Sequence, residues 1–496
     1  MDGIWVDPAD YVFVRWLFLR LLGIIYFVAF ASFGVQVKGL VGRHGILPAW
    51  EYLELIHRTL GAKAYFRFPT LAWINASDAF LVGLCIAGLL LSIVLVFGVH
   101  TTPVLFLLWL LYLSLVTIGQ EFLSFQWDVL LVEAGFLAIF LVPPSLIPSQ
   151  ALAPPSPFVI LLFRFLLFKL IFMSGIVKLA SGDPTWRTFT AMRFHYETQP
   201  LSVPLAWYLH QLPLWFHRAS TLFVLLVELV MPFLYFAPQN LRLIGAGFTL
   251  LLQVLILLTG NYAFFNWLTI FLLIFLLDDN LLRSTLAMSG LPSRIPFPST
   301  PSTTGVAWGW FVPAGLAIVL IVSGLAYILL RSSSKLSFMK PVMPLLDVTA
   351  AFKISNPYGL FAVMTTERPQ IILEGSQDGE NWLVYKFKYQ PVDLDRPPPI
   401  VAPHQPRLDW QLWFAALRDF QRTQWFIRFT VRLLEGSSEV AGLLAENPFP
   451  EQPPKYIRAL LYDYRFTDWK ERQRTGNWWR RERLGFYMPP ISIRNP

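Results

Sequence analysis

Long apolar runs constrain the fold of this chain more than any other feature of its sequence. An α-helix needs about 20 consecutive apolar residues to cross a bilayer. The stretches that approach this length are Val12–Val35, Ala79–Val99, Thr102–Ile118, Trp127–Pro143, Phe158–Leu179, Ala219–Ala237, Leu241–Thr259, Ala263–Leu277 and Ala307–Leu330. Because 55% of the residues are hydrophobic and only 14% are charged, the composition is also typical of a polytopic membrane protein. We predict an α-helical membrane bundle of about eight or nine spans over residues 1–330, since the shortest stretches could be re-entrant.

The chain changes character after Arg331. Residues 331–496 carry more charge and contain no run that could span a bilayer, which predicts a C-terminal extramembrane domain. Within the membrane part, residues 38–78 and 181–218 are predicted to form interfacial loops. The stretch Pro292–Thr304 is rich in Ser, Pro and Thr and is predicted to be a flexible linker before the last span.

The C-terminal domain shows an α+β pattern that is rich in strand signals. Gln370–Ser376 and Trp382–Tyr389 flank Asp378-Gly379, a dipeptide typical of β-hairpin turns. Trp410–Leu434 has a helical pattern, and Tyr456–Phe466 again reads as a strand. We predict an antiparallel sheet that carries helices.

One apolar run, Phe158–Ala180, contains three cations, Arg164, Lys169 and Lys178. An unpaired cation at the centre of a bilayer costs about 2.5–3.5 kcal/mol, so these side chains require partners or water. Lys178 lies at the end of the run, where it could extend toward the headgroups. Alternatively, a partly desolvated lysine loses its proton easily and could serve as a base.

Other charges inside the predicted spans provide partners for these cations. The complete set of intramembrane polar candidates is Arg15, Arg20, Asp128, Glu133, Arg164, Lys169 and Glu228, with Lys178 as the candidate catalytic base. Two interpretations stay open at this point. The charges could form structural ion pairs that lock the bundle, or they could line a buried hydrophilic cavity.

Polar residues in the connections form a second set of candidates. In the loops these are Arg43, His44, His195, Glu197, His210, His217, Asn261 and Asn266, and in the C-terminal domain they are His404, Arg407 and Asp409. The histidines do not show the close spacing of a zinc motif, so no metal is predicted. His195 and Glu197 could take part in proton transfer, or the loop could be an aromatic cap at headgroup level. The single cysteine, Cys85, excludes an intrachain disulfide.

The net charge of +8 is spread along loops, spans and the C-terminal region rather than in one basic strip. This argues against nucleic acid as a partner and favours anionic membrane lipids. One side of the predicted bundle collects most of the basic loop residues: Lys38, Arg43, Arg58, Lys63, Arg67, Arg187, Arg193 and Arg218. The positive-inside tendency would place this side, together with the C-terminal domain, in the cytoplasm.

Several strings resemble the lipase maturation factor family over nearly the whole chain. They are Leu40–Pro48, Glu121–Asp128, Ser181–Trp186, His195–Pro200, Leu258–Asn266 and Val401–Trp410. The resemblance implies a multi-pass, chaperone-like factor for the folding or assembly of secreted lipases, without a cofactor. It implies location in the endoplasmic reticulum membrane of a eukaryote, or in the inner membrane of a bacterium. It also implies a lumenal C-terminal domain, against the charge count.

A second similarity concerns the segment Phe172–Leu179 with Trp186, which looks like the vitamin K-dependent carboxylase and its horizontally transferred transmembrane (HTTM) relatives. That similarity implies Lys178 as a base toward a quinol or another lipid, although Val177 stands where the carboxylase has a second lysine. We therefore carry two hypotheses. The preferred one is a maturation factor that is not an enzyme, and the alternative is a quinol-dependent, carboxylase-like or oxidoreductase membrane enzyme.

Overall fold

The computed structural model describes residues 7–99, 101–143, 154–288, 311–332 and 337–493. Up to residue 351 the described chain is helical, with α1 (Val12–Gly34), α2 (Val37–Val41), α3 (Ala49–Leu60), α4 (Lys63–Arg67), α5 (Asp78–Val96), α6 (Thr102–Ile118), α7 (Gln126–Ile139), α8 (Pro157–Ala180), α9 (Pro184–Arg187), α10 (Ala191–Thr198), α11 (Pro204–His210), α12 (Leu214–Leu229), α13 (Gln239–Thr259), α14 (Phe265–Leu272), α15 (Asp279–Met288), α16 (Phe311–Ser332) and α17 (Met343–Ala351). The linker predicted at Pro292–Thr304 lies outside the described residues.

Within the described residues, six helical segments are long and apolar enough to cross a membrane. They are Pro8–Gly34, Asp78–Val96, Pro157–Ala180, Leu214–Phe236, Gln239–Thr259 and Phe311–Arg331. The helices at the other predicted spans are shorter, at Thr102–Ile118, Gln126–Ile139 and Phe265–Leu276. The helical membrane bundle is confirmed, and the count of eight or nine spans stays a prediction.

Helix α8 lies in the interior of the bundle, where it packs against α7, α12 and α16. In its most apolar window 83% of the residues are buried, compared with 33% for α5. Close packing between α1 and α5 depends on a small residue, because a Cβ at Gly88 would overlap the ring of Phe30. The central position of α8 explains why its three cations are buried rather than exposed to lipid.

The C-terminal region contains one small antiparallel sheet with helices, as the strand and turn signals predict. Its elements are β1 (Pro369–Ser376), β2 (Leu383–Val384), α18 (Arg407–Ala416), α19 (Gln424–Leu434), α20 (Ser438–Ala441), β3 (Tyr456–Phe466), α21 (Trp469–Thr475) and β4 (Trp479–Ile491). The strand order is β2-β1-β3-β4. The Asp378 carboxylate closes the predicted turn between β1 and β2 by accepting from the backbone N–H groups of Glu380 and Asn381, each at 2.8 Å.

A continuous hydrophobic core runs from the membrane bundle into the C-terminal region. Trp410 on α18 packs edge-on against Trp127 of α7, with ring centroids 5.1 Å apart, and against Tyr262, with centroids 5.8 Å apart. Tryptophan pairs of this kind bury large apolar areas. This contact positions the polar residues of both halves against one another.

Candidate functional site

The intramembrane charges are distributed over separate pairs. Lys169 on α8 donates to the Glu133 carboxylate at 2.5 Å, and both side chains are buried. The second carboxylate oxygen of Glu133 accepts from the Tyr358 hydroxyl at 2.8 Å and from the Asn356 side-chain amide at 2.9 Å. Because the carboxylate is fully supplied with donors, this pair has the properties of a structural ion pair.

A second pair joins the membrane bundle to the C-terminal region. Arg407 donates to both oxygens of Asp128, at 2.5 and 2.8 Å, and both side chains are fully buried. Tyr112 donates its hydroxyl to the same carboxylate at 2.6 Å. The sequence singled out both charged residues, but in different sets, because they are 279 positions apart.

The remaining arginines of the predicted cluster lie elsewhere. Arg164 donates to the carbonyl oxygen of Phe275 at 3.0 Å and to the Tyr11 hydroxyl. Arg15 donates to the carbonyl oxygen of Leu141 at 3.3 Å. The Arg20 guanidinium stacks over the ring of Trp16, 3.7 Å from its centroid. These cations bind carbonyl oxygens, a hydroxyl group and an aromatic ring. The structure does not bring them to Lys178.

Lys178 lies in the wall of an intramembrane cavity of about 490 Å³. Its ammonium group donates to Glu228 on α12 at 2.9 Å and to the carbonyl oxygen of Ser174 at 3.1 Å. It also lies 5.2 Å from the centroid of the Trp186 ring. The candidate base is therefore a buried, ion-paired lysine at the edge of an apolar chamber.

The same cavity brings together loop residues that the sequence left separate. His195 Nε2 lies 3.3 Å from the Tyr262 hydroxyl, which donates to Gln199 at 3.0 Å. Asn266 donates to Gln253 on α13 at 2.7 Å. Burial, reinforced by the positive charge of Lys178, lowers the pKa of His195 to about 4, so its ring is neutral at pH 7.

Glu197, His210 and His217 do not converge with His195. Glu197 accepts from the backbone N–H of Phe466 at 3.1 Å and from Arg465 at 3.2 Å. His210 Nε2 lies 3.6 Å from the same carboxylate, and burial lowers the pKa of this histidine. His217 is buried on α12. Among the described residues no group of three or more His, Cys, Asp or Glu side chains could hold a metal ion.

The other predicted loop residues hold the C-terminal region onto the bundle. Asn261 accepts from the backbone N–H groups of Val401 and Ala402, at 2.7 and 3.0 Å. The carbonyl oxygen of His44 accepts from the Ser437 hydroxyl at 2.8 Å. The backbone N–H of the neighbouring Arg43 donates to Asp78 at 2.7 Å. All six strings that carry the family resemblance therefore contact this interface. The contacts of Ser181–Trp186 are described below.

Of the polar residues predicted in the C-terminal region, Arg407 and His404 contact the bundle, whereas Asp409 binds backbone groups of its own region. His404 Nδ1 lies 2.9 Å from the Ser32 hydroxyl of α1. Asp409 accepts from the backbone N–H groups of Tyr389 and Gln390, at 2.8 and 3.2 Å. Burial raises the pKa of Asp409 to about 6 despite these donors.

A cleft of about 490 Å³ opens at the junction of the two halves, on the side of the C-terminal region. Its walls are aromatic and include Trp127, Trp410 and Trp413, and Arg418 and Arg422 also line it. The indole N–H groups of Trp127 and Trp410 are buried and have no hydrogen-bond partner in the described part of the chain. Both arginines are exposed and form no ion pair within those same residues. This arrangement offers aromatic surface and positive charge, the latter partly offset by Glu121, which also lines the cleft and interacts with Arg418.

Three further residues hold the interface together, and one of them, Arg368, lies outside every stretch that the sequence analysis singles out. Arg368 donates to the carbonyl oxygens of Glu197 and Pro200 at 3.1 Å each, and to that of Gln199. Asp183 accepts from the backbone N–H of Met364 at 2.5 Å, and Trp186 donates to the carbonyl oxygen of Phe361 at 3.0 Å. Asp183 and Trp186 lie in the string Ser181–Trp186 that carries the family resemblance, but only the fold supplies their distant backbone partners.

Comparison with known proteins gives a consistent result over both halves. The family profile described as lipase maturation factor transmembrane domain matches residues 13–284, and the profile described as lipase maturation factor C-terminal domain matches residues 354–489. The chain is 35% identical to lipase maturation factor 2 of Homo sapiens, covering 97% of this chain and 83% of that protein. It is 36% identical to lipase maturation factor 1 of Bos taurus, covering 96% of this chain and 89% of that protein. No solved structure matches.

Proposed function

Since this chain belongs to the lipase maturation factor family, we propose that it is a membrane-embedded maturation factor that helps secreted lipases reach their folded, assembled state. The observation that carries this proposal is similarity to proteins named lipase maturation factor along 96–97% of the chain. The similarity includes both the helical bundle and the C-terminal region, so it covers the parts that form the interface described above.

The charge arrangement supports a structural rather than a catalytic role for Lys178. Its amine donates to a carboxylate and to a carbonyl oxygen, and Lys169 and Arg407 are compensated in the same way. A general base needs a free lone pair, which a protonated lysine in an ion pair does not offer. The quinol-dependent alternative therefore gains no observation in its favour.

The protein is a multi-pass membrane protein, because six helices in the described part of the chain are long and apolar enough to cross a bilayer. We further propose that this membrane is the endoplasmic reticulum membrane in a eukaryote or the inner membrane in a bacterium. The C-terminal region would lie on the lumenal or periplasmic side. A secreted client folds on that side. A glycosylation acceptor engineered at the exposed Gly379–Asn381 turn would be modified in microsomes only if this orientation holds.

The aromatic cleft is the part of the structure best suited to contact a client polypeptide. Incompletely folded proteins expose apolar side chains, which match the aromatic walls of this cleft. Arg418 and Arg422 add attraction for acidic segments. We therefore propose that the client polypeptide is contacted at this cleft.

The proposal is tested by co-expressing a secreted lipase with the chain in cells that lack a maturation factor. We expect secreted lipase activity to rise with the wild-type chain. The double variant Arg418→Glu/Arg422→Glu should lower this gain, and Arg480→Glu, an exposed arginine outside the cleft, should not. No gain with a correctly inserted wild-type chain would refute the proposed function.

The alternative is tested in the same assay with Lys178→Met/Glu228→Gln, which removes both charges of the pair together. A maturation factor should keep most of its activity, since no unpaired charge remains buried. Complete loss of activity in a folded, client-binding variant would instead favour the enzyme.

A further inference from the structure

The intramembrane cavity is too large and too apolar to be a packing defect. Protein interiors are packed at crystal-like density, with few voids larger than a water molecule. This chamber measures about 490 Å³ and is lined mostly by apolar side chains such as Ile171, Phe223 and Leu252. Its volume is in the range of sites that hold small ligands.

The position of the cavity determines what can enter it. Ala219 and Leu251 line the chamber and are also exposed on the outside of the helices α12 and α13. Both helices belong to apolar segments long enough to span a bilayer. The chamber is therefore accessible sideways from lipid, where the available apolar molecules are those with acyl or isoprenoid chains.

Two buried side-chain oxygens of the chamber wall accept no hydrogen bond from the described residues: Glu228 Oε2, which is ion-paired with Lys178 at 2.8 Å, and Asn266 Oδ1, which has no such counter-charge. The Asn266 side chain is 1% exposed, and its NH₂ group donates to Gln253 at 2.7 Å. Its carbonyl oxygen Oδ1 accepts no hydrogen bond in the part of the chain that the structure describes. A buried acceptor left unsatisfied is unfavourable, so an occupant that donates a hydrogen bond here would be stabilised.

The charges of the wall exclude an ionised head group. Lys178 is already neutralised by Glu228 at 2.8 Å. His195 carries no charge at pH 7, because burial lowers its pKa. A phosphate or carboxylate entering the chamber would be buried without a counter-charge, which is strongly unfavourable.

We propose that this cavity binds a neutral lipid that carries a hydroxyl group, with its chain against the apolar wall and its hydroxyl donating to Asn266 Oδ1. Acylglycerols and the reduced forms of isoprenoid quinones are two membrane molecules with this chemistry, and they serve as the probes below. The inference concerns binding alone and does not depend on the proposed maturation function.

The test uses the full chain in lipid nanodiscs and a monoacylglycerol with a photoactivatable diazirine in its acyl chain. We expect labelling within α12 and α13, competed by unlabelled monoacylglycerol or by a reduced isoprenoid quinol, and the better competitor identifies the source. A fatty acid with the same diazirine chain should label at least tenfold less at pH 8, where its head group is charged.

Variants separate a built site from general lipid contact. Asn266→Leu removes the acceptor, and Ala219→Trp fills the mouth of the chamber, so each should reduce labelling about tenfold. Leu222→Trp is the matched control, because this residue is exposed on the same helix but does not line the cavity, and it should label like the wild type. Equal labelling by the fatty acid, equal loss in the control, or no competition by either neutral lipid would overturn the proposal. Because the comparison of lipids uses the wild-type chain, it decides the question even if a variant fails to fold.

Discussion

The buried pair between Arg407 and Asp128 is expected to be the most sensitive electrostatic contact in the protein. Replacing Arg407 with Met leaves the Asp128 carboxylate fully buried, with the Tyr112 hydroxyl as its remaining side-chain donor. The substitution removes two charge-assisted hydrogen bonds to Asp128, worth about 1.5–3 kcal/mol each, and a third bond to the carbonyl oxygen of Phe122 at 3.1 Å. Removing one partner of a buried ion pair costs about 3–5 kcal/mol by direct comparison with other proteins. We therefore expect Arg407→Met to lower the free energy of unfolding by about 3–5 kcal/mol.

The assay is thermal unfolding in detergent, combined with the rate of limited proteolysis between the bundle and β1. Arg428→Met is the matched control, because its ion pair with Glu51 at 2.6 Å is at the same interface but half exposed, and it should cost less than about 1 kcal/mol. The double variant Asp128→Asn/Arg407→Met should recover most of the loss, since the charge disappears and the amide oxygen still accepts from Tyr112. If Arg407→Met unfolds at the wild-type temperature, or the double variant is no better than the single one, the reasoning is wrong.

Three further predictions concern other buried contacts. His195 is neutral in the fold, with a pKa of about 4, and would titrate near 6.5 when unfolded, so the stability that it contributes is complete above pH 6.5 and is lost as the pH falls toward 4. His195→Gln should therefore remove up to about 3 kcal/mol of the loss in unfolding free energy between pH 6.5 and pH 4, seen as a smaller fall in melting temperature over this range. A Cβ at Gly135 would overlap the Tyr26 hydroxyl, which is buried without a hydrogen-bond partner in the described residues. Gly135→Ala should therefore lower the free energy of unfolding by about 1–3 kcal/mol, and adding Tyr26→Phe should restore it in unfolding experiments. Lys169→Met should cost less than Arg407→Met in the same assay, since the Glu133 carboxylate keeps three donors, and an equal or larger loss would contradict this account.

The sequence alone predicts the types of secondary structure, and it identifies the polar residues that are unusual for their surroundings. Apolar run length predicts the helical bundle, since a lipid-facing backbone must satisfy its own hydrogen bonds. The Asp378-Gly379 signal predicts the hairpin, because its geometry is local. Charge inside an apolar run also predicts that Lys169 and Lys178 have partners.

Pairing itself could not be predicted, because partners are chosen by tertiary contacts. Lys169 is paired with Glu133 and Lys178 with Glu228, whereas Asp128 is paired with a residue of the C-terminal region. Nothing in local periodicity distinguishes these acids from one another. The number of spans could not be predicted from the sequence for a similar reason. Short helices such as α7 and α14 are buried by neighbouring helices and do not need the full length that a lipid-facing helix requires.

The ion pair between Asp128 and Arg407 imposes an order on biosynthesis. When α7 leaves the ribosome, the acid it carries has no counter-ion, and the arginine that neutralises it is made 279 residues later. The nascent bundle therefore stays incomplete until the final third of the polypeptide has been translated and has docked. A chain that stops after α16 would keep this carboxylate without a counter-ion in its interior, with the Tyr112 hydroxyl as its side-chain donor.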